Sequence, residues 1–267
     1  MKDSKEAIKL KQKTWASGDY SIIGSKLVIV SERLCESINL RLRANHRVLD
    51  VATGHGNTAI AAARQGCKVT GIDITPALLD HARKRAAAEH LMVNFQEGDL
   101  EDIPFPDETF DIVLSTFGLM FASNHHKAAS ELLRVCRTGG KIGLADWTLK
   151  GVNLAEDRAI TRHFPRPADT LPNPWMTAEG LRDLFRDQAS SLIVAQRNVV
   201  YRFISADTFV DTLFETFGPF MKMKQALDAE NQKRFAEDFA DAIRPYNESG
   251  DETLLLPCDY IETVITK

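Results

Sequence analysis

The chain has 267 residues, 44% hydrophobic and 26% charged, with a net charge of −4; it can bury a full core and offers no global basic field to a nucleic acid. No run approaches the roughly 18 apolar residues of a membrane span, and the charged start M-K-D-S-K-E-A-I-K lacks the apolar stretch of a secretory leader. Cys35, Cys67, Cys136 and Cys258 are dispersed with no Cys-x-x-Cys pair, which argues against a metal site and for reduced, buried thiols in a cytoplasmic protein.

Residues 1–45 are expected to be a helical lid. Residues 47–51 form a compact apolar run, the pattern of a strand buried on both faces. The Ala-rich segment 57–65 reads as a helix closed by Gly66. A second strand follows at 68–74, and Thr75-Pro76 opens a helix to about residue 90, with Thr75 as its N-cap. Strands are expected at 93–97 and 110–116. A helix over 123–136 places Ala128, Leu132, Leu133 and Cys136 on one face. Gly139-Gly140 breaks it, and a fifth strand covers 141–146. This alternation calls for a parallel, doubly wound sheet with right-handed crossovers.

The rhythm then changes. Residues 161–175 hold four prolines and read as an ordered loop without a regular element. A helix is expected at 177–188, a strand at 192–203, two or more helices within 205–244 and a β-rich close at 253–266. With no repeat or linker composition, 1–267 reads as a single domain: the lid to residue 45, a core at 46–150, and a C-terminal half at 151–267 carrying a helical insertion at 205–247.

The stretch V-L-D-V-A-T-G-H-G-N (48–57) takes a buried strand into a glycine-lined turn. Such a turn lets a ligand lie against the backbone and aims a helix N-terminus at it, which serves dinucleotides and S-adenosylmethionine (SAM) alike. Asp73 follows Gly54 by 19 positions and ends the second strand, where a carboxylate can accept both ribose hydroxyls; it does not choose between the two cofactors. Asp99 does, because a second carboxylate at the end of the third strand can accept an adenine amino group while Leu100 flanks the ring. The Tyr-x-x-x-Lys pair of many dinucleotide oxidoreductases is missing: Tyr20, Tyr201, Tyr246 and Tyr260 are followed four residues on by Gly24, Ser205, Gly250 and Val264. NAD-linked oxidoreduction therefore ranks last.

These segments, with V-T-G-I-D-I-T-P-A-L-L (69–79), G-D-L-E-D-I-P-F-P-D-E-T-F-D (98–111) and E-L-L-R-V-C-R-T-G-G-K-I-G-L-A-D-W (131–147), resemble the class I SAM-dependent methyltransferases. The resemblance is closest to the methyltransferase type 11 branch that includes the ubiquinone/menaquinone C-methyltransferases, and it covers about 100 residues (47–147). It implies a Rossmann-like α/β fold with a seven-stranded, mostly parallel sheet of order 3-2-1-4-5-7-6. SAM would be the cofactor and S-adenosylhomocysteine the product. By the same resemblance, Asp50 and the backbone of Ala52, Thr53, Gly54 and Gly56 would hold the methionine moiety. Asp73 with Ile74 would hold the ribose, Asp99 with Leu100 the adenine, and the Thr116 carbonyl would face the methionine amino group. Asn57 would touch the carboxylate or cap its helix. His55 replaces a small residue of the family and either narrows the loop or faces solvent. The segment Q-K-T-W-A-S-G-D-Y (12–20) looks like the lid of this branch, placing Trp15 and Tyr20 at the cofactor.

No residue signature names the acceptor. Candidate bases are Tyr20, His125, His126 and His163, each with a packing, capping or surface role as its alternative. Trp15, Phe117, Met120, Phe121, Trp147 and Trp175 are candidates to wall an apolar acceptor pocket or to belong to the core. The Phe-rich stretch 209–220 reads as a buried helix face, and second as a substrate cap or the contact of a homodimer. The partner expected is a small-molecule acceptor, with no nucleic acid and no membrane span. The function expected is methyl transfer to an apolar or aromatic acceptor at C, O or N. Quinone-ring C-methylation is an alternative, and a non-catalytic SAM-binding or protein-interaction module is the alternative from another class.

Overall fold

A computed structural model describes residues 2–40, 45–167, 170, 172–186 and 188–267. The described residues contain β1 (Arg47–Val51), β2 (Lys68–Asp73), β3 (Val93–Glu97), β4 (Phe110–Thr116), β5 (Cys136–Trp147), β6 (Ser191–Phe203) and β7 (Leu254–Thr266). They also contain the helices α1 (Lys2–Trp15), α2 (Tyr20–Gly24), α3 (Val28–Ser37), α4 (Asn57–Arg64), α5 (Pro76–Ala88) and α6 (His125–Val135). The helices that follow are α7 (Gly151–His163), α8 (Ala178–Phe185), α9 (Ala206–Thr216), α10 (Gly218–Gln225) and α11 (Ala229–Ile243). No helix among the described residues is long and apolar enough to cross a membrane.

The strands form one seven-stranded sheet in the order β3-β2-β1-β4-β5-β7-β6. β1 pairs in parallel with β2 and β4, β2 with β3, and β4 with β5. β7 meets β5 in the opposite sense: Gly139 donates to the Lys267 carbonyl and Lys267 to that of Gly140, both at 3.0 Å. The sheet is therefore mixed, with its parallel part buried on both faces as the apolar strand runs require. On one face Leu49, Val51, Val113 and Leu144 pack with α6 and α8 residues such as Leu132 and Leu181. On the other, Val48, Ile112 and Leu114 pack with Leu34, Ile60 and Leu79 of α3, α4 and α5. All four cysteines are buried free thiols.

The described residues group into two compact units, each drawn from separate stretches. The sheet unit comprises Leu27–Asp146, Asn173–Gln196 and Ile261–Lys267. The helical unit comprises the residues up to Lys26, Trp147–Pro172 and Arg197–Tyr260. Residues 41–44 of the expected lid, 168, 169 and 171 of the proline-rich loop, and 187 of the expected helix lie outside the described residues.

Three expectations need correction. Gly139-Gly140 does not separate a helix from a strand: β5 already begins at Cys136, which opposes Phe110, while Lys141 opposes Ile112. The extra residues loop out as an irregularity that the left-handed Gly139 (φ 71°) accommodates. Cys136 accordingly belongs to β5 and not to the helix face. The segment 161–175 is not wholly irregular either, because 161–163 is the last turn of α7 and Pro174–Met176 is a 3₁₀ turn. α7 itself was not anticipated. Asn153 fixes its start, donating from Nδ2 to the carbonyls of Thr148 (2.9 Å) and Asp259 (2.6 Å).

The Phe-rich stretch is a buried helix face. α9 places Phe209 and Phe214 inside the helical unit, where the Phe214 ring lies 4.8 Å from Phe235 of α11 and 5.6 Å from Phe220 of α10.

Candidate functional site

The site grows from the carboxyl ends of the central parallel strands. β1 leaves the sheet through Ala52, Gly54 and Gly56, which all have positive φ (53°, 54° and 89°). Two bonds hold this turn from outside, Thr53 N–H to the Ile72 carbonyl (2.9 Å) and Gly54 N–H to Asp73 Oδ2 (2.9 Å). Gly56 is needed for packing as much as for its backbone angle. A Cβ there would come within 3.0 Å of Ala82 Cβ and 3.2 Å of the Phe95 ring.

Asp50 lies behind the turn, 1% exposed. Its Oδ2 accepts from Thr53 Oγ1 at 2.5 Å and from Ala59 N–H at 2.8 Å, so it ties β1 to the first turn of α4. Burial pushes its carboxyl up to about 7 against the pull of these two bonds. Asp50 shapes the glycine turn from within the protein.

Asp73 ends β2 and is 7% exposed. Each of its oxygens accepts one backbone N–H, Oδ2 from Gly54 and Oδ1 from Thr75 (2.8 Å). Burial raises its pKa, and the two backbone bonds oppose the rise. Thr75 is the N-cap residue of α5, but its side chain makes no capping bond; Asp73 meets that backbone instead. Thr75 therefore holds the expected N-cap position without making the capping bond. Each carboxylate oxygen still has acceptor capacity beyond the bond it makes.

At the end of β3, Gly98 N–H donates to the Asp73 carbonyl (3.1 Å), setting Asp99 beside β2. Asp99 Oδ1 accepts from Glu101 N–H at 2.9 Å, and the partly buried Leu100 packs against the α6/α8 core.

His55 does not face solvent. It is 2% exposed, and its carbonyl accepts from Arg85 Nη1 at 2.7 Å. The same Arg85 nitrogen donates to Asn57 Oδ1 at 2.8 Å, so Asn57 does not cap α4. Arg85, from α5, is a residue that pattern reading missed.

β4 ends at Thr116, whose Oγ1 lies 2.8 Å from Thr58 Oγ1 of α4; Thr58 Oγ1 in turn lies 3.0 Å from Ser31 Oγ of α3. The next residue, Phe117, takes a left-handed conformation (φ 59°) that is strained for an aromatic residue. Gly118 then packs against Ala52, so the turns after β1 and β4 touch.

Asp146 was also missed. It follows Ala145, the partner of Thr116, at the end of β5 and is 1% exposed. Its Oδ1 has no hydrogen-bond partner among the described residues, and burial alone raises its pKa well above the usual carboxyl range.

The proposed bases fall in separate settings. His125 Nδ1 accepts from the indole N–H of the fully buried Trp175 at 3.0 Å, so the neutral ring carries its proton on Nε2 and its basic lone pair is already engaged. Trp175 thereby belongs to the core rather than to a pocket wall. His126 is exposed on the first turn of α6. His163, in the helical unit, lies with Nε2 2.8 Å from Asp238 Oδ2 and its ring 5.1 Å from Phe235. Tyr20 and Trp15 are also in the helical unit, where their rings meet at 5.8 Å and both contact Phe217 (5.9 and 5.5 Å).

Comparison with known proteins follows the same segments. The family described as "Methyltransferase domain" matches residues 49–144. An uncharacterised protein of Mycobacterium tuberculosis, Rv1403c, is 39% identical over 208 residues, 77% of this chain and 76% of that one. A demethylmenaquinone methyltransferase of Deinococcus radiodurans is 38% identical over 103 residues, 38% of this chain and 43% of that one. Among solved structures, the YcgJ protein of Bacillus subtilis superposes with a TM-score of 0.63 at 20% identity, over 88% of this chain and 97% of that one.

Proposed function

We propose, from the premise that residues 49–144 are a methyltransferase domain, that the chain transfers a methyl group from SAM to a small, apolar or aromatic acceptor at carbon, oxygen or nitrogen, leaving S-adenosylhomocysteine. The observation that carries this reading is Asp73, a buried carboxylate whose Oδ2 is held against the glycine turn by Gly54 N–H at 2.9 Å.

The residues present fit the cofactor. Asp73 has oriented acceptor capacity for the two hydroxyls of a ribose, and Asp99 Oδ2 makes no protein hydrogen bond among the described residues, as an acceptor for an adenine amino group requires. The left-handed Ala52 and Gly54 expose backbone at the turn where a methionine tail would lie. The bound cofactor supplies a sulfonium-borne methyl that is already strongly electrophilic. The chain's contribution is therefore to orient the acceptor in line with that methyl and to exclude water. Asp146, buried near the end of β5 with its Oδ1 unpartnered among the described residues, is the group assigned in this reading to take a proton from the acceptor.

Calorimetric titration with SAM and with S-adenosylhomocysteine tests the reading; a purified chain that binds neither rejects it. Quinone-ring C-methylation is a second reading, supported by the 38% identity to the Deinococcus radiodurans demethylmenaquinone methyltransferase. Turnover of a demethylquinone, read as S-adenosylhomocysteine released, distinguishes it from methylation of other acceptors. A chain that binds SAM but methylates nothing in a broad acceptor screen would instead be a cofactor-binding module.

A further inference from the structure

Arg85 of α5 directs a full positive charge at two neutral acceptors beside the glycine turn. One nitrogen, Nη1, donates to the His55 carbonyl at 2.7 Å and to Asn57 Oδ1 at 2.8 Å, so it spans the left-handed Gly56 (φ 89°) from both sides. Ala82, three residues earlier on the same face of α5, meets the turn directly: a Cβ on Gly56 would come within 3.0 Å of Ala82 Cβ. α5 thus packs against the turn, and Arg85 ties the two together. The rest of the turn is held from the sheet, Gly54 by Asp73 and Ala59 by Asp50. All of these residues lie in the sheet unit.

A tie to a carbonyl and an amide oxygen needs donors but no charge. The charge of Arg85 has no carboxylate in contact among the described residues. Glu89, one turn further along α5, is gripped through both oxygens by Arg64, at 2.6 and 2.7 Å. Arg64 adds a second positive charge, which opposes the action of Glu89 on Arg85. The Arg85 guanidinium is half-buried, and burial holds it below the ordinary arginine value. A partly desolvated cation is costly unless an anion offsets it. In SAM, and in S-adenosylhomocysteine, the methionine-type carboxylate is the only anionic group.

We infer that Arg85 is a positioning residue for the carboxylate of the cofactor's amino-acid tail: its two hydrogen bonds fix the outer limb of the glycine turn, and its charge makes that limb electropositive. This inference rests on the SAM reading above and adds to it a residue that acts through His55 and Asn57 rather than by touching the ligand. The planar fork of the guanidinium is not required. Nη1 alone makes both bonds, so a lysine ammonium, with three donors and the same charge, can take its place, whereas an uncharged side chain cannot.

The test measures, by calorimetry on the full chain, the affinity for S-adenosylhomocysteine and for its decarboxylated analogue, which lacks only the carboxylate. The wild type is expected to prefer the carboxylate-bearing ligand about tenfold, the scale of one charged interaction. In Arg85→Met the preference should fall to about twofold or less, and Arg85→Lys should keep it near the wild-type value. Arg85→Gln offers a donor without the charge and should lose the preference as well. It carries the test if urea unfolding shows that Arg85→Met does not fold. No preference in the wild type, a preference kept in Arg85→Met or Arg85→Gln, or one lost in Arg85→Lys overturns the inference. Equal weakening of both ligands leaves the preference intact and so counts against it, marking a purely structural tie. S-adenosylhomocysteine binding to the wild type is measured first, so its failure strikes the SAM reading and leaves the two failures separable.

Discussion

Gly118 and Ala52 stand in direct contact across two turns that leave the sheet from different strands. A methyl at Gly118 would run into the Ala52 Cβ and press on its carbonyl. Ala52 is itself left-handed, and Phe117, next to Gly118, is left-handed too. Two strained, non-glycine residues thus face one another through a glycine contact at the site's edge, where strain is retained when the surroundings impose it. Gly118→Ala is expected to push the glycine turn off its position. The cost of such overpacking is about 1–3 kcal/mol, read as a lower unfolding midpoint together with weaker S-adenosylhomocysteine binding. A variant with unchanged affinity would show that the contact does not set the cofactor turn.

Asp73 is expected to carry much of the cofactor affinity. Asp73→Ala removes the ribose acceptor and also releases Gly54 and Thr75 N–H. Hydrogen bonds to a charged group are worth about 1.5–3 kcal/mol each, so affinity should fall at least tenfold by calorimetry. Affinity equal to wild type would reject the ribose assignment.

Asp50 gives a pH signature in stability. Its folded-state value of about 7 lies above the usual carboxyl value of 3.8, so between these two the folded chain keeps a proton that the unfolded chain has released. The stability contributed by this group is fully present below about pH 4 and is lost as pH rises through about 7. Asp50→Asn keeps an acceptor for Thr53 and Ala59 and cannot ionise. Relative to wild type, its stability should climb by a few kcal/mol between pH 4 and 8, at about 1.4 kcal/mol per pKa unit. Urea unfolding at several pH values checks this, and a stability difference that stays flat with pH would refute it.

Asp146 should separate stability from activity. A buried carboxyl with an unpartnered oxygen costs the fold free energy, so Asp146→Asn is expected to leave stability equal or raise it by about 0.5–2 kcal/mol. Methyl transfer should fall at least about tenfold while S-adenosylhomocysteine affinity is kept. Unchanged turnover would return Asp146 to a purely structural role.

The parts of the candidate site that announce themselves in the sequence are those where one residue type solves a local problem. The glycine turn, Asp73 and Asp99 are legible because a strand end, a sharp exit and an acid at fixed spacing recur at one sheet edge. The rest depends on neighbours distant in sequence. His125 meets Trp175 across 50 positions, and no local pattern reports that its lone pair is taken. Ala52 and Phe117 carry no sequence mark of left-handed backbone. Gly56 reads as room for a ligand, yet Ala82 and Phe95 also demand it. The start of β5 was missed because Gly139-Gly140 looks like a helix stop, when it relieves a register shift against β4. α7 is masked in the sequence by the prolines that directly follow it, which carry a loop signal up to its last turn.

The row of hydroxyls Ser31, Thr58 and Thr116, spaced at 3.0 and 2.8 Å, has a consequence of its own. Each hydroxyl has one proton and can give as well as receive. Head-to-tail ordering can therefore run in either direction. Run outward, the row leaves the Thr116 proton free to donate; run inward, it leaves the Thr116 oxygen free to accept. The end of β4 can reverse its polarity by turning three O–H bonds, without displacing a single heavy atom.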